Sequence, residues 1–138
     1  MIDELFRKGL LKRAPAARNR IAKSLQAAER YLGDAKKNYE IEAYNIVVIA
    51  AYSAMFHAAR SILFSDGIAE RSHFAVYEYL RERHPELGKS FIEGFNLYRG
   101  MRHDTVYELD ADATEEEAGE AIKFAGEMIA AVRKKLLK

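Results

Sequence analysis

The chain has 138 residues with a formal net charge of +1, no cysteine, no tryptophan, two prolines and eight glycines. With 49% apolar and 31% charged residues, it can bury about two thirds of its unfolded surface in one core. One domain over residues 1–138 is expected, folding without disulfides or a structural metal, and a disordered tail or a cysteine-stapled secreted module is excluded. The longest apolar region, Tyr44 to Phe64, is broken by Asn45, Ser53, His57, Arg60 and Ser61, and the N-terminus lacks a basic-then-apolar leader. A cytoplasmic protein off the membrane is the expectation.

Helical periodicity dominates, and no strand pattern competes with it. A short amphipathic turn around Leu5, Phe6 and Leu10 comes first. Ile21, Leu25, Ala28 and Leu32 are then spaced four, three and four apart, which predicts a helix over 16–33 opened by Pro15 and stopped near Gly33. From about Glu40 to Ser65 the apolar residues cover most of the circumference, so this helix should be central. Its alanines (Ala50, Ala51, Ala54, Ala58, Ala59) allow close approach of neighbours, and Asp66-Gly67 should end it. Ser72 reads as the N-cap of a helix that Pro85 terminates. A further helix over 87–107 contains Gly94 and Gly100, each costing about 1 kcal/mol against alanine, so something must pack close there or the helix must bend. Thr114 with Glu117 forms a capping box for the last helix, along which Ala118, Ile122, Ala125, Ile129, Val132 and Leu136 form a seam. The fold class is all-α, an up-and-down bundle of four to five helices.

The small net charge hides an asymmetry. Residues 1–37 hold ten Lys/Arg against four Asp/Glu, whereas 104–120 hold eight acids and no base. The first segment could meet phosphate and the second could not. The near-neutral total falls short of the strongly basic signature of a nucleic-acid binder.

Without cysteine, a metal site would need histidine and carboxylate ligands, and His57, His73, His84 and His103 include no His-x-x-x-His pair. No metal and no cofactor is expected, and neither a Gly-x-x-x-x-Gly-Lys loop nor a Gly-x-Ser-x-Gly elbow is present. Two polar constellations remain. Ser53, His57 and Arg60 share one stripe of the central helix, and an arginine buried there needs a partner or a water-filled cleft. They either sit at a rim, bonded to a neighbouring helix, or line a cleft. On the next candidate face, Arg99, His103 and Tyr107 follow at four-residue intervals, with Arg102 about 100° from His103. Arginine can grip phosphate, histidine can exchange protons near neutral pH, and tyrosine can stack on a base. A helix end with an Arg-Asp pair and a buried tyrosine would use the same residues.

Taken together, Ala51-Tyr52-Ser53-Ala54-Met55-Phe56-His57-Ala58-Ala59-Arg60, Ser72-His73-Phe74-Ala75-Val76, the run from Arg102 to Tyr107 and Thr114-Glu115-Glu116-Glu117-Ala118 resemble a HEPN domain. This is the "higher eukaryotes and prokaryotes nucleotide-binding" family, and the likeness is to its small stand-alone prokaryotic members. About 100 residues are covered, in the family's order. The resemblance implies a helical bundle that dimerises and a minimal nucleotidyltransferase partner in a toxin–antitoxin-like pair. It also implies an Arg-x(4–6)-His motif in the members that cleave RNA without metal. Arg102 fits the arginine and His103 the polar position after it, but Tyr107 stands where the histidine would be. Tyrosine, with a pKa of about 10, is a poor proton-transfer group at neutral pH.

The reading is a non-catalytic or weakly catalytic module with a cleft between the central and fourth helices for a nucleotide, RNA or the nucleotidyltransferase. Arg60, Arg99, Arg102 and Tyr107 would hold phosphate, with His57, His103 and Asp104 orienting them. The alternatives are a metal-independent endoribonuclease with Arg102, His103 and Tyr107 as candidate catalytic residues, and a purely structural homodimeric interaction protein.

Overall fold

Helix makes up most of the chain in the computed structural model, which describes residues 1–137. Helix α1 (Ile2–Arg7) leads through strand β1 (Leu11–Arg13) and a 3₁₀ turn (Pro15–Arg20) into α2 (Ile21–Glu40). There follow α3 (Tyr44–Ser65), β2 (Ile68–Glu70), α4 (His73–Arg83), a second 3₁₀ turn (Pro85–Leu87), α5 (Lys89–Tyr107) and α6 (Glu115–Leu136). The architecture is the all-α bundle anticipated from periodicity.

Helix α3 is the axis. It packs against α2, α5 and α6, and Ala51, Ala54, Ala58 and Ala59 are all fully buried, so small side chains let the neighbouring backbones approach. By length and hydropathy α3 could cross a membrane, but 67% of its most apolar window is buried inside the bundle. At its end Gly67 adopts φ 73° and its N–H donates to the Phe64 carbonyl at 2.9 Å, the left-handed closure that glycine accepts without strain. The Ser72 hydroxyl caps α4 by accepting from the Ala75 N–H, and Thr114 and Glu117 close the capping box of α6.

Three expectations are corrected. Gly33 does not stop α2, which continues to Glu40 and gives way where Glu42 takes φ 60°. The buried side chains of Leu32 and Ala35 on either side of Gly33 hold the helix together, outweighing a glycine cost of about 1 kcal/mol. Pro15 opens a 3₁₀ turn, and the α-helix starts only at Ile21. Finally, β1 and β2 pair antiparallel, with Leu11 opposite Glu70 and Arg13 opposite Ile68. Strands of three residues are too short to show an alternating pattern.

Of the two glycines in α5, Gly94 meets a close neighbour. A Cβ there would lie 2.4 Å from the Phe124 ring of α6, whereas one at Gly100 would meet nothing within 4 Å. Tyr52 of α3 stacks on Phe95 of α5, centroids 5.6 Å apart, which fixes the rotation of α5 against the central helix.

Candidate functional site

Arg60 is half-buried on α3, and a charge so placed needs compensation. Its Nε donates to Glu70 Oε1 at 2.5 Å, and its guanidinium lies over the rings of Phe56 and Phe64. The carboxylate comes from β2, so the unforeseen hairpin delivers the counter-charge. One turn earlier, His57 stacks on Tyr31 of α2, centroids 5.3 Å apart and planes 4° from parallel. Its Nδ1 is 3.5 Å from Arg60 Nη1. Burial lowers the His57 pKa, and the charges of Arg60 and Arg30 lower it further. The Ser53 hydroxyl donates back to the Ile49 carbonyl. Arg60 is thus tied to a strand, and His57 stacks on a neighbouring helix.

From α5, Arg99 donates through Nε and Nη2 to Asn96 Oδ1 at 3.1 and 2.9 Å, with its guanidinium over Phe74. Arg102 is half-buried, and among the described residues neither it nor Arg99 has a carboxylate within 4 Å. Between these arginines and Arg60 lies His73, the first residue of α4, placed by the Ser72 cap. Its ring stacks on Phe56 at 4.0 Å, and its Nδ1 is 2.8 Å from the Tyr52 hydroxyl. Packing against Phe56 shields one ring face while the outer edge stays open to solvent. This burial lowers the His73 pKa, and the charges of Arg102, Arg99 and Arg60 lower it further. Burial pushes the Tyr52 pKa up. Tyr52 and the neutral imidazole of His73 thus share a hydrogen bond whose direction follows the tautomer of the ring.

The charges of Arg60, Arg99 and Arg102 thus all act on His73, and those of Arg60 and His73 on His57. His103, Asp104 and Tyr107 lie further along α5. His103 is exposed, with its ring against Tyr107 at 4.8 Å and its Nδ1 3.7 Å from Asp104. Tyr107 is 64% exposed. Asp104 lines a separate cavity of about 500 Å³ with Leu97, Met101 and Glu117. At about 100° per residue, His103 and Asp104 rotate progressively away from Arg102, while His103 stays within about 40° of Arg99, one turn back. His73 was the residue missed. The available signal was Tyr52, because a tyrosine on the buried side of a central helix requires a partner for its hydroxyl. Among the described residues no three His, Asp or Glu side chains gather as metal ligands, so no residue of the site is assigned to a metal.

A HEPN domain model matches residues 21–135, from the start of α2 almost to the end of α6. The chain belongs to the HEPN domain family. It is similar to a protein of Archaeoglobus fulgidus named "UPF0332 protein", 30% identical over 103 residues that span 73% of this chain and 82% of the relative. It is also similar to a protein of Methanocaldococcus jannaschii named "Putative toxin MJ0605", 31% identical over 128 residues, 88% of this chain and 91% of the relative. The HEPN match contains the whole arginine–histidine cluster, while α1, β1 and the first 3₁₀ turn precede it.

Proposed function

We propose that this HEPN protein is a binding module, non-catalytic or weakly catalytic, that receives the phosphate of a nucleotide or RNA at Arg60, Arg99, Arg102 and His73. The observation that carries this reading is that the charges of three guanidiniums from two helices act on one histidine. Arg60 is already matched by Glu70, so Arg99 and Arg102 are the charges available to an anion. Phosphate offers several acceptor oxygens to such forked donors. His73 is exposed and its imidazole adds a further polar group for a phosphate oxygen. Tyr107 stands where the family's cleaving members carry histidine, and a tyrosine hydroxyl is a poor proton-transfer group at neutral pH, which favours binding over cleavage. Phe56 and Phe74 add apolar faces beside the cations, the kind of surface on which a base stacks.

Similarity to a relative whose printed name includes "toxin" supports a place in a toxin–antitoxin-like pair, for which we propose a minimal nucleotidyltransferase as the partner. Val106, Tyr107 and Leu109 are exposed at and just beyond the end of α5, where we propose that this partner or a second copy docks. Calorimetric titration of the protein with ATP and with a short RNA tests the site. Saturable binding that Arg102→Ala weakens tenfold or more is expected, with the RNA still intact after incubation in chelator. Binding unchanged in Arg102→Ala would overturn the assignment. Chelator-resistant cleavage lost in His73→Ala would establish an endoribonuclease instead.

A further inference from the structure

A second cationic concavity lies at the end of the bundle where α3 and α4 both stop. Its volume is about 450 Å³, and Arg13, Arg18, Arg83, Asp66, Tyr79 and His84 contribute to its walls. These residues are far apart in sequence, and the β1–β2 pairing brings them together. Arg13 is held opposite Ile68, and the Ala14 N–H donates to the Gly67 carbonyl at 2.7 Å. Arg18 then lies across the Gly67 turn, its Nε 3.6 Å from where a Cβ at that glycine would be. The Arg13 guanidinium rests on the Phe6 ring of α1, 5.4 Å from its centroid.

Two structural explanations for such arginines do not account for them. One is ion pairing. Asp66 is the carboxylate of the cavity, and its Oδ2 accepts from the Tyr79 hydroxyl at 2.8 Å and lies 2.6 Å from His84 Nε2. None of the three arginines is within 4 Å of it or of any other carboxylate among the described residues. The other is capping of the two helix ends, but no backbone carbonyl accepts from these guanidiniums among the described residues. The charge balance points the same way. The two helix C-termini contribute roughly −0.5 each, and Asp66 adds one negative charge. Three guanidiniums exceed that sum, and Arg83 and Arg13 act together on the Tyr79 hydroxyl.

We propose that Arg13, Arg18 and Arg83 form a second anion site that takes an oligophosphate group. Three forked donors from three separate segments suit a ligand with several adjacent anionic oxygens better than a singly charged diester. Its walls draw on Phe6, Arg13 and Arg18, which precede the HEPN match. It is separate from the arginine–histidine cluster and does not depend on the reading given for that cluster.

The test is calorimetric titration with pyrophosphate at low ionic strength, using the full chain carrying Arg102→Gln so that the α5 cluster contributes little. One saturable site per chain is expected, with sulfate binding at least tenfold more weakly. Adding Arg13→Gln and Arg83→Gln should reduce pyrophosphate affinity tenfold or more, and Arg18→Gln alone severalfold. All three positions are exposed, and a circular-dichroism melt confirms that each variant is folded. No saturable heat, equal affinity for sulfate and pyrophosphate, or affinity unchanged by the Arg13/Arg83 substitutions would each overturn the proposal.

Discussion

At the residue scale the decisive group is His73, whose neutral state has two consequences. Both His73 and His57 are held below the ordinary imidazole value of 6.5, so between that value and their folded pKa the unfolded chain binds more protons than the folded one. Their contribution to stability is complete above pH 6.5 and is lost as the pH falls through the folded values. Thermal melts from about pH 7.5 to about pH 5 should show the midpoint falling on the acid side, with His57→Gln/His73→Gln flattening that slope. The second consequence concerns the ligand. An anion seated between Arg99 and Arg102 offsets the charges that depress His73, so its pKa must rise on binding. Imidazole NMR titrations with and without ATP check this, and a His73 pKa unmoved by saturating ligand would place the anion elsewhere. Sequence alone made Arg60, Arg99 and Arg102 visible because charged residues on apolar rods are conspicuous. His73 was hidden because its role depends on Tyr52, 21 residues away along the chain, a relation that neither residue's local pattern encodes.

At the element scale, patterns that repeat every few residues were legible and contacts between elements were not. The caps at Ser72 and Thr114 and the seam of α6 follow from local chemistry, and the structure contains them. The end of α2 was misread because a glycine reads the same in sequence whether or not its neighbours hold the helix. Gly94 and Gly33 show the difference, and substitution separates them. Gly33 sits in open space, so Gly33→Ala should stabilise by about 0.5–1 kcal/mol through helix propensity alone. At Gly94 the same gain meets a ring of Phe124 that is hemmed in by Phe91 and Tyr98. Overpacking of about 1–3 kcal/mol then exceeds the gain, and Gly94→Ala should destabilise by about 1 kcal/mol. Urea denaturation of the two variants decides the sign in each case. Thr114→Ala should cost about 1 kcal/mol by removing one half of the capping box.

At the scale of the whole molecule, the net charge of +1 conceals a segregated surface. The acids of residues 104–120 run from the end of α5 to the start of α6, where Asp104, Asp112 and Glu117 line one cavity, while arginines line the concavity at the C-terminal end of α3. Summed over the chain these fields nearly cancel, so a polyanion is not drawn in from a distance and its affinity must come from local contacts. Local contacts leave a countable salt dependence. For a single strand, each neutralised phosphate contributes about −0.7 to the slope of log K against log salt. Arg60 is already paired with Glu70 and adds little, so Arg99 and Arg102 alone predict a slope of about −1.4 for a short single-stranded RNA. Arg102→Gln should halve it to about −0.7, whereas Arg83→Gln, at the other cavity, should leave it unchanged. Fluorescence anisotropy with a labelled tetranucleotide across a salt series measures all three slopes. A wild-type slope well beyond −1.4 that falls on Arg83→Gln would mean that one strand reaches both cationic sites, and a slope unaffected by Arg102→Gln would remove α5 from the interface.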